Sequence, residues 1–392
     1  MRQTMNVIVL FTFALTLALS GSASANRDVA LGYANAVIKD QVNIWLCPST
    51  LIRYPDMMLG EIDASNGFYQ GGVQFGVGDQ VFGVFFDKLE RDYLYLPDLV
   101  NGDTLAMKQK IDLFAARDFG EAVLGFQFSL AGASQSSEAN VNGVIQKPET
   151  SVSELGLRLG LSYQENFDGF FGFKNVSWTD KDADGKDITQ PDGFSIISFG
   201  GRYWLDMSES IALVPYFSLG FTGQGYEKKN LSVGQNLKGE KISETDFVLG
   251  LGTNIKPNDK LLVVTNIGMD LHPWSLERTY RDSSNTSDGS WSAFPYFGIG
   301  METALNSWLT MRLGFTKSWE SESWEPANPT AGNPKTYEGY TDEEFQLGAA
   351  IDYKNLTLDM LLNPSLLLNG PYILTGKNSQ NMATSVKVTY SW

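Results

Sequence analysis

From about residue 56 to the C-terminus, apolar and polar positions alternate with a period of two. The stretch 121–131 puts Ala122, Leu124, Phe126, Phe128 and Leu130 on one face and Glu121, Gln127 and Ser129 on the other. Leu155, Leu157, Leu159 and Leu161 repeat the pattern against Arg158 and Ser162, and Phe247, Leu249 and Leu251 against Asp246, Gly250 and Gly252. Phe345, Leu347, Ala349 and Ile351 do so against Glu344, Gln346 and Asp352. Such alternation marks strands with one apolar and one polar or small face. The pattern predicts strands near 56–64, 67–77, 79–88, 109–117, 121–131, 152–163, 167–178, 193–206, 209–223, 243–255, 258–271, 291–304, 307–319, 342–354, 355–363 and 384–392.

Connection lengths choose the architecture. Short turns at Asp118–Gly120, Gln164–Asn166, Lys256–Asn258 and Leu305–Asn306 alternate with polar loops near 89–108, 132–151, 179–192, 224–242, 272–290, 320–341 and 364–383. Outer-membrane barrels alternate short periplasmic turns with long outer loops. A soluble β-sandwich has no reason to. The fold class is therefore all-β, a transmembrane antiparallel β-barrel of about sixteen strands over 56–392. Trp178, Trp204, Trp308, Trp319 and Trp392 fall at strand ends and are expected in the interfacial girdles. The last strand alternates through Val386, Val388 and Tyr390 to a terminal Trp392. That ending resembles the signal read by the barrel-assembly machinery of Gram-negative bacteria, the expected partner in biogenesis.

Charge and composition narrow the function. A net charge of −16 argues against nucleic acid as a partner. One Cys excludes a disulfide framework, and one His leaves little for metal or triad chemistry, so no enzyme is expected. His272, beside Pro273, reads as a solvated strand-end residue. Residues 1–25 read as a signal peptide: Arg2, an apolar run from Val7 to Leu19, then Ala23-Ser24-Ala25. Beyond them, no segment approaches the roughly 20 apolar residues of a spanning helix. Lipid must be met by strands.

Alternation places Gln74, Asp112, Gln127, Arg158, Arg202, Glu302, Arg312, Gln346, Asp352, Asp359 and Lys387 toward the lumen. Both signs are mixed there, so no single-signed filter is expected. Gly72, Gly76, Gly125, Gly156, Gly160, Gly250, Gly252, Gly298 and Gly300 share that face. Glycine there either admits a plug or eases strand coiling.

Residues 26–55 carry Pro48 and Pro55 and do not alternate cleanly, so they are read as a plug. The run Ala34-Asn35-Ala36-Val37-Ile38-Lys39-Asp40, followed by Asn43-Ile44-Trp45-Leu46-Cys47-Pro48-Ser49, resembles the N-terminal signature of FadL/PorV-type outer-membrane proteins. Asp40 and Pro48 match that pattern; Gln41, Cys47 and Ser49 depart from it. Asn363-Pro364 and Gly370-Pro371-Tyr372 are similar to the closing stretch of the same group. The resemblance implies a hatch carrying Asp40, Asn43, Trp45 and Pro48, inside a barrel of fourteen strands. It also implies passage of small hydrophobic molecules, or a PorV-like adaptor for secreted partners.

One further motif is chemical. Asp180, Asp182 and Asp184 with Gly185 begin a D-x-D-x-D-G calcium loop, but Pro191 stands where the bidentate Glu belongs. A solvated acidic loop is the favoured reading. The sequence thus reads as a monomeric outer-membrane channel for small, hydrophobic solutes, the alternative being a non-transporting scaffold that works through external loops.

Overall fold

The computed structural model describes residues 26–63, 68–86, 109–136, 139–141, 144–146, 149–181, 187–228, 237–280, 282–325, 335–362 and 383–392. The leader, the Asn363–Tyr372 stretch, Asp182 and Asp184 lie outside them, and Asp180 is described only as a backbone position.

Sixteen antiparallel strands close into one barrel. They are β1 (Met57–Asp63), β2 (Phe68–Val77), β3 (Gln80–Phe86), β4 (Gln109–Asp118), β5 (Ala122–Ser136), β6 (Glu149–Tyr163), β7 (Phe167–Lys181) and β8 (Asp187–Tyr203, continued by Leu205–Ser208). The second half comprises β9 (Ile211–Lys228), β10 (Leu237–Asn258), β11 (Leu261–Tyr280), β12 (Ser284–Ala304), β13 (Leu309–Glu325), β14 (Thr336–Tyr353), β15 (Leu356–Leu362) and β16 (Ala383–Ser391). Each strand pairs with its neighbours in sequence, and β1 pairs with β16 to close the ring, Met58 opposite Tyr390. Among the described residues, the pairing of β1 with β16 leaves neither end strand of the barrel as a free edge. The number is sixteen, so the fourteen that the resemblance implied does not hold.

The register sorts side chains into two shells. Leu124, Phe126 and Leu130 of β5, Leu155, Leu157, Leu159 and Leu161 of β6, and Leu249 and Leu251 of β10 are exposed on the outside. Phe217 and Phe221 of β9 and Phe297, Ile299 and Met301 of β12 continue this belt. An exposed apolar ring of this extent suits hydrocarbon rather than water. Among the described residues, no helix is long and apolar enough to cross a membrane.

The strands run past the predicted ends on the long-loop side. β11 reaches Tyr280 and β12 begins at Ser284, where a long polar loop was expected near 272–290. Backbone pairing persists there after apolar alternation has stopped, because a ladder needs hydrogen bonds and not lipid contact. Turns at the other end stay tight; Gly78 and Gly120 adopt φ of 64° and 94°, open to glycine without strain.

Two girdle expectations fail. Trp178 and Trp204 are buried inside, on the faces that carry Val176 and Arg202. Strand parity, not nearness to a strand end, decides the face. Trp308, Trp319 and Trp392 are exposed.

Candidate functional site

The N-terminal segment sits inside the short-turn half of the barrel. It begins with a five-residue helix, α1 (Asn26–Ala30), and continues as three 3-10 turns at Ala34–Ala36, Gln41–Trp45 and Pro48–Arg53. Local chemistry sets these turns. Asp40 caps the second, its carboxylate accepting from the Val42 N–H at 3.1 Å, while Asn43 accepts from the Asp40 N–H at 2.8 Å. Pro48 opens the third, where its missing N–H costs nothing.

Inward-facing glycines admit the segment. A Cβ at Gly125 or Gly160 would strike the backbone of Pro48 and Ser49, and one at Gly300 would strike Leu31. Gly252 faces Val37 in the same way, whereas Gly72 and Gly250 are covered by Phe85 and Tyr216 of the wall. Of the two readings the sequence offers for these glycines, close approach of the N-terminal segment accounts for the first four.

Charge pins the segment on two sides. Toward β12 to β16, Arg27 bonds Glu302 at 2.8 Å and Asp40 at 3.0 Å. Arg312 carries the network on, to Glu302 at 2.6 Å and Asp359 at 2.7 Å, and Lys387 donates to Gln41 at 2.7 Å. Toward β7 and β8, Asp168 holds Arg53 at 2.8 Å and Arg202 at 3.0 Å and accepts from Ser162 at 2.6 Å. Arg202 also donates to the carbonyls of Asn35 and Ile38. Burial pushes the Asp40 carboxyl up, but Lys387 and Arg27 outweigh it and hold Asp40 below the usual carboxylate range. Burial raises the Tyr54 hydroxyl to about 12.

The remaining residues singled out from the sequence take varied places. Gln74 is fully buried and donates to the Tyr54 carbonyl, and Arg158 donates to the Trp45 carbonyl. Asp112 accepts from Gln127 at 3.0 Å and from Ser129. Gln346 is buried in β14, while Asp352 is exposed at the short-turn rim, accepting from Thr357 at 2.7 Å. Asn43 bonds Asn35, and the Trp45 ring meets Phe85 and Phe114 edge-on at 5.3 and 4.9 Å. Val386, Val388 and Tyr390 alternate with the lumen-facing Lys387, and Tyr390 stacks on Trp392 at 6.3 Å.

Above the plug the lumen changes character. One wall carries a buried apolar cluster of Val152, Val176, Trp178, Phe194 and Tyr226. The facing wall, β10 to β14, is acidic. Glu240, Glu244 and Asp246 share the face of Gly252, which meets the plug; Asp270 shares that of Asn266. Trp291 donates to Glu320 at 3.1 Å, and Glu322 lies opposite Trp291. In β14, Glu338, Asp342 and Glu344 follow the parity of Gln346 and Gly348, the latter against Ala30. Both signs meet around the N-terminal segment, while the β10 to β14 wall above it carries more carboxylates than bases, His272 and Arg278 being among the bases.

His272 is also corrected. It lies within β11, half-buried in the lumen, its Nδ1 2.5 Å from Asp246 and its Nε2 2.8 Å from Asp270. Apolar alternation ends the expected strand at residue 271, one short of it, whereas β11 runs to Tyr280. Period-two carboxylates at Glu244 and Asp246 were the available signal.

No protein-family model matches the chain, and no curated sequence relative is found. Among solved structures the chain is similar to the ferric yersiniabactin uptake receptor FyuA from Yersinia pestis, at 10% identity and a TM-score of 0.41. That match covers 78% of this chain and 54% of the receptor, so the chain spans about half its length. The toluene transporter TbuX from Ralstonia pickettii is similar at 12% identity and a TM-score of 0.40, over 95% of this chain and 99% of that one. The toluene transporter TodX from Pseudomonas putida is similar at 10% identity and a TM-score of 0.37, over 95% and 97%. The barrel assignment stands on its own strand pairing.

Proposed function

We propose that the chain is an outer-membrane channel of the FadL type that passes small, largely apolar solutes passively, with residues 26–55 as its hatch. The carrying observation is the division of the lumen: an ion-paired segment fills the short-turn half, and an apolar cluster around Trp178 lines the half above. Solute enters from the long-loop side, rests on the apolar wall, and leaves when the segment shifts. The outer apolar belt supports residence in the membrane of a Gram-negative-type bacterium. Nothing in this mechanism needs a nucleophile, and buried Cys47 packs against Ser49 as a small core residue.

Liposome swelling tests the reading. Proteoliposomes in graded neutral solutes should swell faster than protein-free ones, and faster still with Arg27→Gln and Arg53→Gln combined. Swelling at the protein-free rate in both forms would overturn passage and favour a scaffold working through external loops.

A further inference from the structure

The long-loop half of the lumen holds a cavity of about 540 Å³, within the size range of small-molecule sites. Its chemistry is not that of a purely apolar pocket. Two indole rings, Trp274 and Trp291, stand on its wall together with the carboxylates Glu244 and Glu322. The strand register sets them side by side: Glu244 pairs with Trp274 across β10 and β11, and Trp291 pairs with Glu322 across β12 and β13. Trp274 lies flat enough over the β12 backbone that a Cβ at Gly289 would strike its ring. Trp291 is fixed by its bonds to Glu320 at 3.1 Å and Tyr340 at 3.3 Å.

A third kind of group points the same way. Gln224 of β9 lines the cavity, is 5% exposed, and its amide oxygen has no hydrogen-bond partner. A buried acceptor left unpaired costs free energy that a donor on a ligand would recover. Beside it, Ile242 and Leu276 give the cavity an apolar side.

Carboxylates attract a cation, indole faces attract a cation, and the free amide oxygen asks for an N–H. The basic groups close by are already engaged: His272 lies between Asp246 and Asp270, with one oxygen of Glu244 3.7 Å from its Nδ1, and Arg278 bonds Glu240 at 2.6 Å. Glu244, Asp246 and His272 do bring ligand atoms within 4.8 Å of one another. A bare metal ion, however, would have to strip His272 from both carboxylates, and the two indoles offer it little. We propose that this cavity binds a protonated primary amine carrying an aryl or alkyl group, its ammonium toward Glu244, Glu322 and Gln224 and its apolar part against the Trp rings. The site rests on the reading of the lumen as a solute path and narrows the solute class to apolar cations.

Calorimetric titration of the full barrel in detergent tests this, with phenethylamine at neutral pH against the neutral 2-phenylethanol. The amine should bind at least about tenfold more tightly than the alcohol. Glu244→Gln and Glu322→Gln should each weaken the amine about tenfold and leave the alcohol unchanged. Gln224→Met should weaken the amine less. Equal affinity for amine and alcohol, charge-neutral variants that bind the amine like wild type, or zinc binding without amine binding would each overturn the site. The detergent measurement is independent of passage. A barrel that binds the amine but stays silent in bilayers fails the channel reading alone; one that conducts without binding the amine fails this inference alone.

Discussion

Arg27 and Glu302 lie 275 residues apart and meet in a two-pronged ion pair, Nε to Oε2 at 2.8 Å and Nη2 to Oε1 at 2.9 Å. The forked geometry makes Arg27 a clasp between the N-terminal helix and β12. Lysine offers a single ammonium point and cannot reproduce it. Arg27→Lys should loosen the helix partially and Arg27→Gln more, by about 1–3 kcal/mol of local opening free energy. Hydrogen exchange of residues 26–38 should accelerate while the strands stay protected.

Asp168 is the second anchor and the costlier one to remove. It is almost fully buried and faces both Arg53 and Arg202, the latter also buried. Asp168→Asn leaves two guanidinium groups without their carboxylate, and removing one partner of a buried pair costs about 3–5 kcal/mol. Denaturant titration of the refolded barrel should show the midpoint fall without a change in strand content.

The plug should respond to acid through Asp40. Its folded pKa lies below the ordinary 3.8, so its contribution to stability is present above that value. As pH falls through the lowered pKa, the carboxylate is protonated, the pairs with Arg27 and Lys387 weaken, and the contribution is lost. Hydrogen exchange around Gln41–Trp45 should therefore rise as pH drops below about 4. Asp40→Asn should exchange fast already at neutral pH and respond far less to acid. The alkaline side mirrors this: Tyr54, raised to about 12 by burial, favours its neutral form, so its contribution is complete below pH 10 and lost on approach to 12.

Steric replacement gives a charge-free test of the same contact. A Cβ at Gly125 meets the backbone of Pro48 and Ser49. Gly125→Val should displace the third 3-10 turn while β5 keeps its pairing, since valine suits a strand. Tryptophan fluorescence from Trp45 should shift to the red as its packing against Phe85 and Phe114 is lost.

Much of the barrel is written in local pattern. Leu155 to Leu161 announces β6 because lipid on one side and a small or polar lumen face on the other leave a period of two. The pattern fades at His272, where β11 leaves the apolar belt: the outer face turns to Pro273, Ser275 and Glu277 while Trp274 and Leu276 fall on the lumen face, so strand and loop look alike in sequence. Trp178 and Trp204 show a second limit. Aromatic position along a strand is visible in the chain, but the inward face is fixed by register: Trp178 lies opposite Val152 of β6, and Trp204 packs with Val214 of β9. The clasp of Arg27 on Glu302 and the grip of Asp168 on Arg53 are tertiary. They join segments with no sequence relation, and only the non-alternating, Pro-bearing stretch 26–55 hinted that something must be held inside.

On the proposed reading, an ion-pinned segment closes the short-turn half of a solute path. Single-channel recording in planar bilayers, on wild type and on the Arg27→Gln/Arg53→Gln double variant, tests it most directly because both substitutions lie in the segment and leave the wall intact. Rare, small openings in wild type and frequent, larger ones in the double variant are the predicted result. Identical records from the two proteins, with hydrogen exchange confirming that the segment has loosened, would contradict it.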